Sequence, residues 1–199
     1  MYPKYVEVNG KEYKINTDFR IAIKCDEIGR DESISKYERP LAIIYLLFGE
    51  EALKDFENHN ELLELAKKYL SCGKEIKDTG EPDMDLVQDL DYIKASFRSD
   101  YSINLNEEKM HWWEFCNLLN GLSNSEMGNC CILNRIRNLR NYDTSKIKDA
   151  KQRQMVEEAK RQVALRKPEK KYTNEEKENM KLFFEQIEGD KNDWWRSCN

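Results

Sequence analysis

Hydrophobic and polar residues alternate twice near the start of the chain. Tyr5-Val6-Glu7-Val8 and Glu12-Tyr13-Lys14-Ile15 flank Asn9-Gly10. A period of two marks a strand with one buried face. Asn-Gly supplies the positive φ angles of a type I′ turn. The pattern predicts a β-hairpin over residues 4–16. A lone hairpin is marginal in water, so it must pack on helices or pair with a strand, from this chain or another subunit.

The period then lengthens to that of a helix. Phe19, Ala22, Ile23 and Ile28 recur at helical spacing, with Asn16 or Thr17 placed to cap them. Leu41 to Phe48, LAIIYLLF, is uninterruptedly apolar and reads as a buried helix. Pro40 suits its first turn, and Gly49 follows its last apolar residue. Asn60 is placed to cap a helix bearing Leu62, Leu63, Leu65, Ala66, Tyr69 and Leu70, ending near Gly73. Residues 74–85, with Gly80 and Pro82, read as an exposed loop. Leu90, Ile93 and Phe97 define a helix near residues 86–100.

Met110 to Leu122, MHWWEFCNLLNGL, reads as one helix. Neighbouring residues on a helix point about 100° apart, so one narrow core stripe cannot take both Trp112 and Trp113 fully. Trp113 is the expected outward member. Ser123 with Glu126 fits a capping box for the next helix, and residues 145–165 fit a long charged one. Its apolar stripe is thin: Met155, Val156, Ala159 and Val163. Pro168 stops it. Thr173 with Glu176 opens a last helix with Met180, Phe183, Phe184 and Ile187.

The fold class is therefore mainly α: a multi-helix domain with a short N-terminal β-hairpin. Residues 1–166 form it, and residues 167–199 add a C-terminal helix and tail. The expected core is Phe19, Ile23, Ile44, Leu47, Leu65, Leu90, Ile93, Phe97, Trp112, Phe115 and Leu119.

Composition agrees. Among 199 residues, 8 are Gly and 4 are Pro, while 39% are hydrophobic, so helix is favoured and a core is available. The N-terminus lacks the apolar stretch of a signal peptide, and no apolar run is long enough to cross a bilayer. A soluble cytoplasmic protein is the expectation.

Charge is unevenly placed. Residues 135–171 hold thirteen Lys and Arg against five Asp and Glu, a local +8 within a total of -5. The remainder then carries -13. Such polarity suits head-to-tail self-association or an acidic partner. Ile136 to Tyr142, IRNLRNY, has basic residues for phosphate but one aromatic, so nucleic acid is a runner-up partner.

Motifs for catalysis are absent. The glycines do not cluster into a phosphate loop, and no G-x-S-x-G or H-E-x-x-H is present. Cys116 and His111 stand five apart, off one helical line. Cys130 and Cys131 are adjacent and cannot make the C-x-x-C half of a zinc site. Asp83, Asp85, Asp89 and Asp91 lack the glycine and glutamate of an EF-hand loop and read as a helix N-terminal charge cluster. No enzyme, metal or cofactor is expected.

Three segments carry a resemblance. DYIKASFRSDYSINL from Asp91, MHWWEFCNLLNGL from Met110 and ILNRIRNLRNYD from Ile132 resemble the bacteriophage gene-product-fifteen family. FRIAIKCDEI, Phe19 to Ile28, is similar to that family's first helix. The likeness spans most of residues 17–166, and its specific part is the Trp-Trp segment. The resemblance implies a gene between those of the tail tube and the tape measure. It implies a non-catalytic tail assembly chaperone that coats the tape-measure protein and recruits tail-tube subunits. Such a protein works in the host bacterial cytoplasm and leaves before the virion is complete.

The expected partners are thus the tape-measure protein, tail-tube subunits and further copies of this chain, with no membrane. The candidate contact residues are Met110, Trp113, Arg135, Arg137, Arg140, Trp194 and Trp195. The alternative is a small helical regulator that binds nucleic acid through residues 135–171.

Overall fold

The computed structural model describes residues 2–74, 82–124 and 130–166. Strands β1 (Tyr5–Val8) and β2 (Lys11–Lys14) form the antiparallel hairpin, with Val6 opposite Tyr13 and Glu7 opposite Glu12. Asn9 and Gly10 take φ of 51° and 79°, as a type I′ turn requires. Val8, Tyr13 and Ile15 are buried, so the alternation points one face at the core. The hairpin meets its packing need within the chain. Tyr13 Oη donates to Asp55 at 2.5 Å, and Asn9 Nδ2 donates to Asn58 at 2.7 Å.

Eight α-helices follow among the described residues: α1 (Phe19–Arg30), α2 (Glu38–Phe48), α3 (Glu50–Lys54), α4 (His59–Leu70), α5 (Leu90–Tyr101), α6 (Trp112–Asn120), α7 (Ile132–Asn141) and α8 (Ala150–Val163). A mainly helical domain behind a short hairpin is what the patterning predicts.

Boundaries differ where another contact outbids a local signal. Asp18, not Thr17 or Asn16, caps α1 by accepting from Arg20 N–H at 2.9 Å. The Thr17 carbonyl is occupied by Trp112 N–H at 2.8 Å, and Asn16 N–H reaches the Leu47 carbonyl at 2.7 Å. Asn58 holds the cap position of α4 instead of Asn60, yet makes no side-chain cap bond. Its amide is spent on Tyr13 Oη at 3.1 Å and on Asn9.

The Trp-Trp helix also starts late. Met110 and His111 precede α6 in extended chain, because Phe19 N–H donates to the Met110 carbonyl at 3.1 Å. His111 becomes the cap, its Nδ1 accepting from Trp113 N–H at 3.0 Å. Two backbone bonds, Phe19 to Met110 and Trp112 to Thr17, therefore hold the starts of α1 and α6 side by side. The segment expected as a helix over 145–165 is shorter: a 3-10 turn (Thr144–Lys146), then α8 capped by Asp149. Glu126, and the helix expected after Thr173, lie outside the described residues.

Phe115 is the centre of the core. Its ring stacks on Phe19 at 4.7 Å, Phe97 at 5.3 Å and Trp112 at 5.6 Å between centroids. Of the expected core, Leu65, Leu90 and Leu119 are half-buried and the other eight are buried.

Candidate partner-binding surface

The sequence-derived contact residues are mostly engaged inside the molecule. Met110 is buried in the core. Trp113 is half-buried, and its indole N–H donates to the Tyr69 carbonyl at 2.9 Å. Trp112 does the same to the Leu70 carbonyl at 3.0 Å. The last carbonyls of a helix have no intrahelical partner, so the two indoles cap α4 from outside. This resolves the two-tryptophan problem: each ring faces the end of α4 rather than one sharing a stripe with the other.

The arginines divide. Arg140 is largely covered, its side chain 10% exposed, and its guanidinium makes two 2.7 Å bonds to the buried Asp89 carboxylate. It also serves the carbonyls of Asp83 at 2.9 Å and Val163 at 2.6 Å. Arg137 forks onto Asp83 with two bonds of 3.1 Å. Arg30 pairs with Asp85. Burial works against the Asp85 carboxylate, but Arg30 and the amides of Val87 and Gln88 hold its pKa below the usual range. Of the aspartates expected as a helix N-terminal cluster, Asp83, Asp85 and Asp89 are counter-ions of α7 and α1, while Asp91 stays exposed in the first turn of α5. Two cations of the basic segment, Arg137 and Arg140, thus find acidic partners from outside it within the fold. Arg135 stays exposed on α7, and Trp194 and Trp195 lie outside the described residues.

The outward apolar surface lies elsewhere, on α2. Expected to be a buried helix, α2 buries Ile44, Leu47 and Phe48 and leaves its other side in water. Tyr37, Leu41 and Tyr45 are 73%, 38% and 51% exposed. Spaced four apart, they form one ridge. Residues 40–49 contain no charge. At the Tyr45 end the ridge opens into a groove of about 620 Å³ between α2 and the chain joining β2 to α1. Ile15, Thr17, Ile21, Tyr45 and Phe48 line it, with Lys14 and Glu50 at its polar edge. Continuous apolar composition hid this surface in the sequence. The one signal was the Tyr37–Leu41–Tyr45 row, two tyrosines around a leucine at the helical repeat.

Such a ridge and groove can bury the apolar face of a helix, the helix-in-groove mode of recognition. Among the described residues, no group of three or more His, Cys, Asp or Glu is placed to hold a metal ion. No described helix is long and apolar enough to cross a membrane.

The fold and surface thus define a mainly helical, hairpin-bearing domain with an outward apolar helix face on α2. The model of the family described as bacteriophage Gp15 protein matches residues 2–165, and the chain belongs to that family. No curated protein and no solved structure matches it.

Proposed function

We propose that this phage protein is a tail assembly chaperone that holds a helical stretch of a tape-measure protein during tail morphogenesis. The observation that carries the reading is the ridge of Tyr37, at the start of α2, with Leu41 and Tyr45 on it, uncharged from residue 40 onward and open to solvent beside a groove of mixed apolar and polar lining. Membership of the Gp15 family sets it in a phage, and the resemblance described above supplies the tail.

A tape measure is a long helical chain whose apolar stripes face water until the tube encloses them. Covering them gains about 25 cal/mol per Å² of apolar surface removed from water. The α2 ridge is short. From Tyr37 to Tyr45 it rises about 12 Å, two to three turns of a partner helix. Each contact is then weak, and many copies along one partner supply the hold while leaving release easy. The work belongs in the host cytoplasm, before the virion is complete, and includes contact with tail-tube subunits and between copies.

Co-expression with the neighbouring tape-measure gene tests this. The expected outcome is a tape measure that stays soluble and co-purifies in a ratio that grows with its length. A tape measure equally insoluble with and without this protein, and absent from pull-downs, overturns it.

A further inference from the structure

Arg166, the last described residue, lies close to the start of α2. It exchanges two bonds with the Gln88 side chain: Arg166 N–H donates to Oε1 at 2.8 Å, and Nε2–H donates to the Arg166 carbonyl at 3.0 Å. Gln88 N–H donates to Asp85 at 2.8 Å, and Asp85 pairs with Arg30 at the end of α1. Beside Arg30, the Gly29 carbonyl accepts from Arg39 at 3.5 Å. Arg39 lies in the first turn of α2. A short relay of side chains thus joins Arg166 to the Tyr37 end of the ridge.

Beyond Arg166 the sequence carries a ligand of the kind this ridge fits. Thr173 and Glu176 make a capping box and Gly189 a stop. Between them Met180, Phe183, Phe184 and Ile187 fall at i, i+3, i+4 and i+7. That spacing is the anchor pattern of a helix that lays its apolar face in a groove. Met180 to Ile187 covers about 11 Å of helix, against about 12 Å for the ridge from Tyr37 to Tyr45.

Charge agrees with this fit. Residues 173–188 hold five Glu and two Lys. Lys14 stands at the groove edge, and the Lys36 ammonium lies 5.1 Å from the centre of the Tyr37 ring. Neither makes an ion pair among the described residues. The acidic groups of the same rim are engaged: Glu50 with Lys54 at 2.6 Å, and Glu38 with Ser35 N–H at 3.3 Å.

We propose that residues 173–189 bind the α2 ridge of their own chain as a helix, with Met180, Phe183, Phe184 and Ile187 against Tyr37, Leu41 and Tyr45, and cover that surface until a partner helix displaces them. This rests on the reading of the ridge as a helix-binding surface, and not on the tape measure being its partner.

Reach and concentration favour the same chain over a second copy. From Arg166 to Thr173 an extended chain spans up to about 23 Å, more than the length of α2, about 16 Å. A tether this short sets a local concentration of about 1 mM, which a second copy matches only at about 1 mM protein. At that concentration a contact with a Kd of about 0.1 mM is made about nine-tenths of the time. Such a cover keeps apolar surface out of water before a partner arrives. A partner that makes several contacts along its length still displaces it.

The test is the full chain with p-benzoylphenylalanine in place of Tyr45, irradiated with no partner present and mapped by mass spectrometry. The crosslink should fall in residues 173–189, in protein of monomer mass. In a mixture of isotope-labelled and unlabelled chains, each linked pair of peptides should carry one isotope. Phe183→Glu with Phe184→Glu should lower the yield about tenfold, and circular-dichroism melting shows that this variant is folded. The same probe in place of Lys67, exposed on α4, should give no link to that segment. No link from position 45 to residues 173–189, links that pair the two isotopes, an equal yield from position 67, or a yield unchanged by the double substitution each overturns the proposal. The tape measure is absent from these arms, so they stand whichever way co-expression turns out. Where a tape measure binds, adding it should lower the yield; binding with an unchanged yield overturns the displacement.

Discussion

Asp89 and Arg140 lie 51 residues apart and meet as a buried, two-bonded ion pair, with side chains 1% and 10% exposed. The pair ties the start of α5 to the end of α7, and Asp89 Oδ2 also accepts from Asp85 N–H at 3.0 Å. Removing one partner leaves an uncompensated buried charge. Arg140→Met should therefore destabilise the fold by about 3–5 kcal/mol, read as a lower urea midpoint. Arg140→Met with Asp89→Leu recovers only part, because Asp83 and Val163 lose a donor and Asp85 N–H an acceptor. Full recovery would show that these backbone bonds carry no weight.

The two indoles separate by substitution. Trp112→Ala opens the stack around Phe115 and should cost about 3–5 kcal/mol. Trp113→Phe keeps most of the ring and loses the bond to the Tyr69 carbonyl, so about 0.5–1.5 kcal/mol is expected. Equal losses in chemical denaturation would contradict the unequal burial of the pair.

Acid should act on the hairpin through Asp55. Lys11 and the Tyr13 hydroxyl, which bond its carboxylate, bring its pKa from 3.8 down to about 2. A depressed folded-state pKa gives stability that is present above the unfolded value and lost as pH falls through the folded one. The window is therefore pH 3.8 to about 2. Asp55→Asn should flatten the fall in melting temperature across that window relative to wild type. Parallel melting curves for the two proteins would remove Asp55 from the acid response.

Local signals marked the hairpin and most helices, since alternation around Asn9-Gly10 and apolar recurrence at three and four are properties of short segments. What they missed was set by distant partners. The late start of α6 depends on Phe19, and the early start of α4, at His59, goes with Asn58 being held by Tyr13 and Asn9. The acidic run at 83–89 reads as solvated until α7 and α1 are folded against it. For the candidate surface, burial is the missing variable: LAIIYLLF is apolar on every side, and only packing decides which side meets water.

The α2 ridge gives the most direct check on function. Tyr37 and Tyr45 are exposed and make no side-chain hydrogen bond among the described residues, so changing them removes little from the fold. Tyr37→Glu with Tyr45→Glu should stay within about 0.5 kcal/mol of wild type for each substitution. Two charges on an apolar contact must be desolvated on binding, which opposes association strongly. The double variant should therefore melt like wild type and fail to keep the tape measure soluble. Arg135→Glu, exposed on α7, is the matched control for charge alone. If the ridge variant retains binding while Arg135→Glu loses it, the contact surface belongs on the basic face of α7 and not on α2. If both retain it, neither surface is the contact, and the chaperone reading must find another.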